Sequence, residues 1–109
     1  MNFDLKMPEG LSTLGQEAHA KIMEFLEARD MLYTCGGQAF YSPSEWKKRG
    51  EQYGLKSEMI IVHDGGDLAA CCNLDYECYK LNEQFIEKLA EAGVYIEQCT
   101  SWYSAVYKI

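Results

Sequence analysis

The run SEMIIVH, residues 57–63, restricts the fold of this chain more than any other segment. Its consecutive apolar residues, with β-branched side chains at the centre, are typical of a β-strand. Because the side chains of a strand alternate between its two faces, an unbroken apolar run predicts a central strand that is covered on both faces.

Three segments show helical patterns. From Thr13 to Arg29, apolar residues recur on one face, and Ser12 or Thr13 is the expected N-cap. Residues 75–92 repeat the pattern, with Gly93 at the end and a predicted buried stripe of Leu74, Cys78, Leu81, Phe85 and Leu89. A short helix begins after Ser42 with the SPSE capping-box pattern and is predicted to end at Gly54.

The remaining apolar segments predict strands. Residues 31–41 read as two strands around Cys35-Gly36-Gly37, since glycine pairs favour hairpin turns. Residues 94–109 read as one or two strands. We therefore predict an α+β fold in which two long helices and one short helix pack on a small, mostly antiparallel sheet of 4–5 strands. Residues 1–10 are interpreted as an N-terminal extension and residues 11–109 as a single α+β domain.

The charge distribution favours some partners over others. The formal net charge is −7; residues 1–56 carry eight acidic and seven basic side chains, and residues 57–109 carry nine and three. An acidic chain is repelled by phosphates and anionic lipid, so direct nucleic-acid binding and membrane binding are not expected. No apolar run reaches the roughly 18 residues that span a bilayer, and the start does not resemble a secretory signal. We expect a cytoplasmic protein.

An acidic stripe, Glu83, Glu87 and Glu91, recurs every fourth residue of the second long helix. Like charges at this spacing cost a few tenths of a kcal/mol per pair. Two interpretations remain open for the stripe. It is either a solvated helix face or a surface that docks on a protein partner with a basic surface.

The HDGGD loop, which is His63, Asp64, Gly65, Gly66 and Asp67, follows the central strand. Imidazole and carboxylate groups suit zinc, iron or manganese, and His63 beside Asp64 suits a general base. The favoured interpretation is a turn, since Asp-Gly-Gly is common turn chemistry. The loop matches no phosphate-binding pattern, and the other histidine, His19, lies among polar neighbours. No cofactor or metal is expected.

The aromatic and cysteine residues have both structural and functional interpretations. On a strand, Trp102, Ser104 and Val106 would face one side and Tyr103, Ala105 and Tyr107 the other. Core packing is the commoner role of such aromatics, and Trp102, Tyr103 and Tyr107 are the candidates for binding. Five cysteines, an odd number, fit a reducing compartment; Cys71, Cys72 and Cys78 are interpreted as small core residues. A Cys99 nucleophile paired with His63 is a minor alternative.

Three segments carry a family resemblance. IIVHDGGDLA, DYECYKL and EQCTSWYSAVYKI resemble a family of short, uncharacterised proteins of bacteriophages and mobile elements of gut-type bacteria, over most of the chain from Leu11 onward. That family more often has proline or aromatic residues where this chain has AACC, which implies that Cys71 and Cys72 are incidental. The resemblance implies a small accessory protein that acts by binding, including by blocking host defence.

Three hypotheses follow, in this order. The first is a non-enzymatic acidic binding protein that inhibits a host defence or nucleic-acid-handling complex, of anti-CRISPR or anti-restriction type, through the acidic stripe and the C-terminal aromatics. The second is a protein that binds a small, nucleotide-like molecule with the Gly65-Gly66 loop and the C-terminal tyrosines. The third is a metal-dependent enzyme that uses the HDGGD loop. Homo-oligomer formation remains open.

Overall fold

The structure, a computed structural model, describes residues 3–34 and 36–109. Within these residues the fold is α+β, with four α-helices and a four-stranded antiparallel sheet. In chain order the elements are α1 (Thr13–Ala28), β1 (Phe40–Tyr41), α2 (Pro43–Lys48), β2 (Met59–Val62), α3 (Gly66–Cys72), α4 (Tyr79–Ala90), β3 (Val94–Gln98) and β4 (Tyr103–Lys108), with short 3₁₀ turns at Phe3–Leu5 and Leu74–Tyr76. The predicted α+β class and antiparallel sheet are confirmed, whereas the predicted set of two long helices and one short helix is matched only in part.

The strand order in the sheet is β1-β2-β4-β3, and every pairing is antiparallel. The register places Ile60 opposite Ala105, and Ile96 opposite Val106. β2 lies between β1 and β4, as the continuous apolar run predicts. The C-terminal segment forms two strands, of which β3 is an edge strand of the sheet.

The two faces of the sheet have separate cores. On the helix side, Met59 and Ile61 of β2 join a cluster that includes Phe25 and Phe85, whose rings meet edge to face at 5.3 Å. On the opposite side, Ile60 belongs to a second cluster with the buried residues Trp46, Tyr103 and Ala105. The prediction that the central strand is covered on both faces is therefore confirmed.

The beginnings of α1 and α2 follow the predicted capping patterns. The Ser12 hydroxyl accepts a hydrogen bond from the Gly15 N–H at 3.0 Å. Ser42 and Glu45 form the reciprocal capping box, in which each side chain accepts from the backbone N–H of the other. The prediction that this helix reaches Gly54 is wrong: α2 ends at Lys48 because Gly50, at φ +82°, already takes the left-handed conformation.

The predicted strand at the beginning of residues 31–41 needs correction. Residues 31–34 form no strand, because the Tyr33 backbone pairs with Asp67 at the start of α3: Tyr33 N–H donates to the Asp67 carboxylate, and Asp67 N–H donates to the Tyr33 carbonyl, both at 2.9 Å. Gly36 and Gly37 have the positive φ angles that the hairpin prediction required, and Cys35 lies outside the described residues. Helix α3 itself was not predicted.

The predicted helix over residues 75–92 is interrupted. Asn73 caps a 3₁₀ turn through its side-chain oxygen, which accepts from Asp75 N–H at 2.9 Å, and Glu77 then takes a left-handed φ of +57°. Helix α4 therefore begins only at Tyr79. Of the predicted stripe, Phe85 and Leu89 are buried and Leu81 is partly buried, whereas Leu74 and Cys78 are exposed. The break rotates the first two positions away from the core.

The N-terminal segment packs on the rest of the domain. Leu5 is buried in the helix-side core, and its carbonyl accepts a hydrogen bond from His19 Nε2 at 2.8 Å. His19 is therefore buried, and its ring meets Phe40 edge to face at 4.7 Å. The expectation of a polar environment for His19 is wrong, because the N-terminal segment and β1 cover that side of α1.

The residues that the structure describes include no helix that is long and apolar enough to cross a membrane.

Candidate functional site

The HDGGD loop does not gather its polar groups around one point. The His63 ring is buried on the helix side of the sheet, with a hydrogen bond of 2.7 Å between its Nε2 and Ser104 Oγ. Asp64 is exposed, and the Asp67 carboxylate accepts from Tyr33 N–H. Across residues 3–34 and 36–109, no three His, Cys, Asp or Glu side chains are placed to hold a metal ion.

The glycines of this loop carry out a structural role. Gly65 and Gly66 have φ angles of +132° and +72°, which side-chain-bearing residues rarely adopt, and they turn the chain from β2 into α3. A cavity of about 120 Å³ lies beside Gly65, and Tyr33, Gly36 and Gly37 also line it. This volume is below the roughly 300 Å³ at which ligand pockets begin. The C-terminal tyrosines predicted to line a ligand pocket do not line this cavity.

Three of the described cysteines, Cys71, Cys72 and Cys99, lie in environments that suppress thiolate formation. Burial, followed by the charge of Asp67, raises the pKa of Cys71 to about 12, and burial raises the pKa of Cys72 well above its ordinary value. Both are small core residues, as the sequence predicts. Burial also raises the pKa of Cys99, which packs against the Trp46 cluster on the face of the sheet opposite to His63. The sheet therefore separates Cys99 from His63.

The three candidate aromatics differ in exposure. Tyr103 is buried, its ring lies 4.9 Å from Trp46, and its hydroxyl accepts a hydrogen bond from Tyr53 N–H at 3.3 Å. Tyr103 is therefore a core residue and cannot serve as a surface anchor. Trp102 is half-buried, and its ring packs on Trp46 with centroids 5.7 Å apart, so it lies on the same side of the sheet as Tyr103. The predicted position on the side of Ser104 is wrong, because Trp102 precedes β4 and does not follow the alternation of the strand.

Tyr107 is half-buried and lies near the C-terminal end of β4. Its ring stacks on Tyr95 with centroids 5.7 Å apart and an interplanar angle of 28°. Tyr95 is 43 % exposed, so the pair presents an aromatic surface on the side of the sheet that faces away from α4. Burial is the first cause of the raised pKa of Tyr107, and electrostatic interactions with Cys99 and Glu97 add to it.

The acidic stripe divides into two parts. Glu91 pairs with Lys21 at 3.4 Å and with Lys88 at 3.5 Å, and its hydrogen bond with Lys21 is the first cause of its lowered pKa. Within the part of the chain that the structure describes, Glu83 and Glu87 form no ion pair and are exposed. Two of the three glutamates are thus exposed and outside the ion pairs of the described residues, where a partner can reach them.

Sequence reasoning missed an exposed apolar surface beside these glutamates. Leu74 and Tyr76 are each 51 % exposed, Tyr79 is 57 % exposed and Ile86 is 39 % exposed. Asp75 and Glu77 are also exposed, and neither forms an ion pair among the described residues. We name the whole set the 74–87 surface; its members are Leu74, Asp75, Tyr76, Glu77, Tyr79, Glu83, Ile86 and Glu87.

The 74–87 surface takes its members from the turn Leu74–Tyr76, from Glu77 and from helix α4. Tyr79, Glu83 and Glu87 follow one another at the four-residue spacing of a helix face, and Ile86 lies beside Glu83 on α4. The turn Leu74–Tyr76 immediately precedes them. The available sequence signal was Asn73, a residue that favours caps and turns and that lies just before the predicted helix.

Comparisons of the chain with protein-family models, with curated proteins and with solved structures found no match. The resemblance to proteins of bacteriophages and mobile elements therefore stays a prediction. The interpretation of the site follows from its own geometry and charge.

Proposed function

We propose that this protein is a non-enzymatic binding protein that docks the 74–87 surface on a basic surface of a partner protein. The observation that carries the proposal is the exposure of four large apolar side chains among four acidic groups that form no ion pair with described residues. Protein interfaces combine apolar and aromatic anchors at the centre with charged groups that steer and orient the partner. The 74–87 surface supplies both.

The charge of the whole chain supports a basic partner. The formal net charge is −7, and the second half of the chain contributes most of it. Such a field attracts a basic surface over about 10 Å at 0.1 M salt and accelerates its association. Within the 74–87 surface there are four acidic residues, and the single basic residue of that span is Lys80.

We further propose that the partner belongs to a host complex that defends the cell or handles nucleic acid. Proteins of this kind carry basic grooves for phosphate, and an acidic protein with aromatic anchors has the chemistry to occupy such a groove. Blocking the groove would inhibit the complex. The family resemblance of residues 60–69, 75–81 and 97–109 supports the same role.

The test compares two matched charge reversals in affinity capture from a bacterial cytoplasm. The first variant carries Glu83→Lys and Glu87→Lys, and the control carries Glu17→Lys and Glu27→Lys, two exposed positions on α1. Each variant changes the formal net charge from −7 to −3, because each Glu→Lys exchange adds two positive charges. Any difference between the variants therefore reports position rather than total charge.

We expect the wild-type protein and the Glu17/Glu27 variant to retain a protein with a basic surface. The Glu83/Glu87 variant should lose it, while circular dichroism shows an unchanged fold. Equal retention by both variants, or capture of no protein by the wild type, would contradict the proposed function.

A further inference from the structure

Strand β3 has an open edge. It pairs with β4 on one side and is last in the strand order. Cys99 N–H donates to the Tyr103 carbonyl, and Ile109 N–H donates to the Gly93 carbonyl. These two hydrogen bonds determine which residues of β3 bond to β4 and which direct their backbone groups away from it. In an antiparallel pair, Tyr95 and Glu97 then bond to β4, and Val94, Ile96 and Gln98 direct their backbone N–H and C=O groups outward.

Exposed apolar side chains border this edge on the helix side. Helix α4 packs on β3, and helix α1 contacts β4. Helix α1 also contacts α4, on the side of α4 that faces away from the open edge. There the Arg29 side chain bonds to Gln84, and Lys21 pairs with Glu91. By helical periodicity the side of α4 away from α1 carries Tyr79 and Ile86. Because β3 is the outermost strand under α4, these two exposed side chains lie along its open edge.

The other side of the edge carries the stacked pair Tyr95 and Tyr107 together with Glu97. An electron-rich ring pair beside a carboxylate is a suitable site for a guanidinium group, through cation–π contact and ion pairing. Glu97 is the one charged residue in β3 and is exposed. The strand contains no lysine or proline, which are common protections of an open edge.

We propose that the open edge of β3 accepts an extended, arginine-containing segment of a protein partner as an additional strand. Main-chain hydrogen bonds to Val94, Ile96 and Gln98 would hold the segment, and arginine side chains would lie over Tyr95 and against Glu97. The charge of the chain selects this occupant over a second copy, since two copies would each bring a formal charge of −7 and would place their Glu97 side chains near one another. The inference rests on the proposed function for the choice of a basic partner and adds the mode of binding.

The probe for this test is a short synthetic peptide of alternating arginine and valine, and the control peptide has glutamate in place of arginine. Hydrogen exchange followed by NMR on the wild-type protein should show new protection at the amides of Val94, Ile96 and Gln98 when the arginine peptide is present. The glutamate peptide should give no protection. Binding without protection at these amides would overturn the inference, and so would an absence of binding.

Two substitutions test the edge and its charge separately. Ile96→Pro removes an outward N–H and leaves the hydrogen bonds to β4 in place, so we expect peptide affinity to fall about tenfold. Glu97→Lys should weaken binding by a similar factor, and Glu17→Lys on α1 should leave it unchanged. Unchanged peptide affinity in Ile96→Pro would overturn the inference; the exchange experiment on the wild-type protein decides the matter if this variant fails to fold.

The outcomes separate this inference from the proposed function. Capture that persists in Ile96→Pro but is lost in the Glu83/Glu87 variant would overturn strand addition and leave the proposed function standing. Capture that is equal in the two charge-reversal variants would contradict the proposed function, whatever the peptide does. A concentration-dependent dimer of the wild-type protein in sedimentation, abolished by Ile96→Pro, would assign the edge to a second copy and overturn the basic occupant.

Discussion

Among the described residues, the buried ring of His63 has one hydrogen-bond partner, which is the side chain of Ser104. The hydrogen bond between His63 Nε2 and Ser104 Oγ measures 2.7 Å, and His63 Nδ1 has no partner among the described residues. Ser104→Ala would therefore leave both ring nitrogens buried and unpaired. An unsatisfied buried polar group costs about 1–3 kcal/mol, so we expect the free energy of unfolding at pH 7.5 to fall by that amount.

The same site gives the stability of the protein a defined pH dependence. Burial lowers the pKa of His63, and its own backbone and Asp64 oppose this more weakly. Histidine in the unfolded chain titrates near pH 6.5. Between that pH and the lower pKa of His63 in the folded protein, the unfolded chain therefore binds more protons than the folded protein does. Stability should fall as the pH drops through this range, by at most about 1.4 kcal/mol per pH unit for each histidine. Burial also lowers the pKa of His19, which contributes with the same sign.

The assay is urea unfolding at pH 7.5, 6.5 and 5.5, followed by the fluorescence of Trp46 and Trp102, whose rings pack on each other. The comparison includes a double variant, His63→Leu with Ser104→Ala, which removes both polar groups together. We expect the double variant to be more stable than Ser104→Ala alone and to lose less stability than the wild-type protein between pH 6.5 and 5.5. Two results together would refute the reasoning: an unchanged free energy of unfolding in Ser104→Ala, and an equal pH dependence of that free energy in the wild-type protein and the double variant. His63 would then again be a candidate metal ligand.

Two further predictions concern packing and reactivity. Gly15→Ala would place a Cβ atom 2.5 Å from the Glu58 carbonyl oxygen. We therefore expect the free energy of unfolding in urea to fall by about 1–3 kcal/mol, despite the higher helix propensity of alanine. A gain in stability would contradict the close approach of α1 to the start of β2. Iodoacetamide at pH 8 should label the exposed Cys78 and spare the buried Cys71, whose pKa is about 12, until the protein is unfolded; equal labelling in peptide mass mapping would contradict the burial.

Long periodic segments explain why part of the fold could be predicted from the sequence. Helix α1 has 16 residues, so its apolar face repeats several times, and Ser12 marks its start. Helix α3 has seven residues, fewer than two helical turns in total, and its apolar composition fits a turn or a buried segment equally well. The break at Glu77 has no compositional signal, because a left-handed conformation at glutamate depends on the contacts of the folded chain.

The sequence could predict those parts of the candidate site that depend on a single helix, and it could not predict the parts that depend on how helices and strands pack together. The spacing of Glu83, Glu87 and Glu91 places all three on the exposed side of a helix, which the structure shows. The pairing of Glu91 with Lys21 depends on how α1 packs beside α4, and spacing within one helix carries no information about that. The burial of Tyr103 likewise depends on α2, which brings Trp46 onto that face of the sheet.

The measurement that tests the central claim most directly is zero-length cross-linking of the captured complex. A carbodiimide joins a carboxylate to a lysine amine only when the two groups are in contact, and mass spectrometry then identifies both residues. We expect the cross-links to the partner to come from the four carboxylates of the 74–87 surface. Cross-links concentrated at Glu17 and Glu27 of α1, with none from the 74–87 surface, would contradict it.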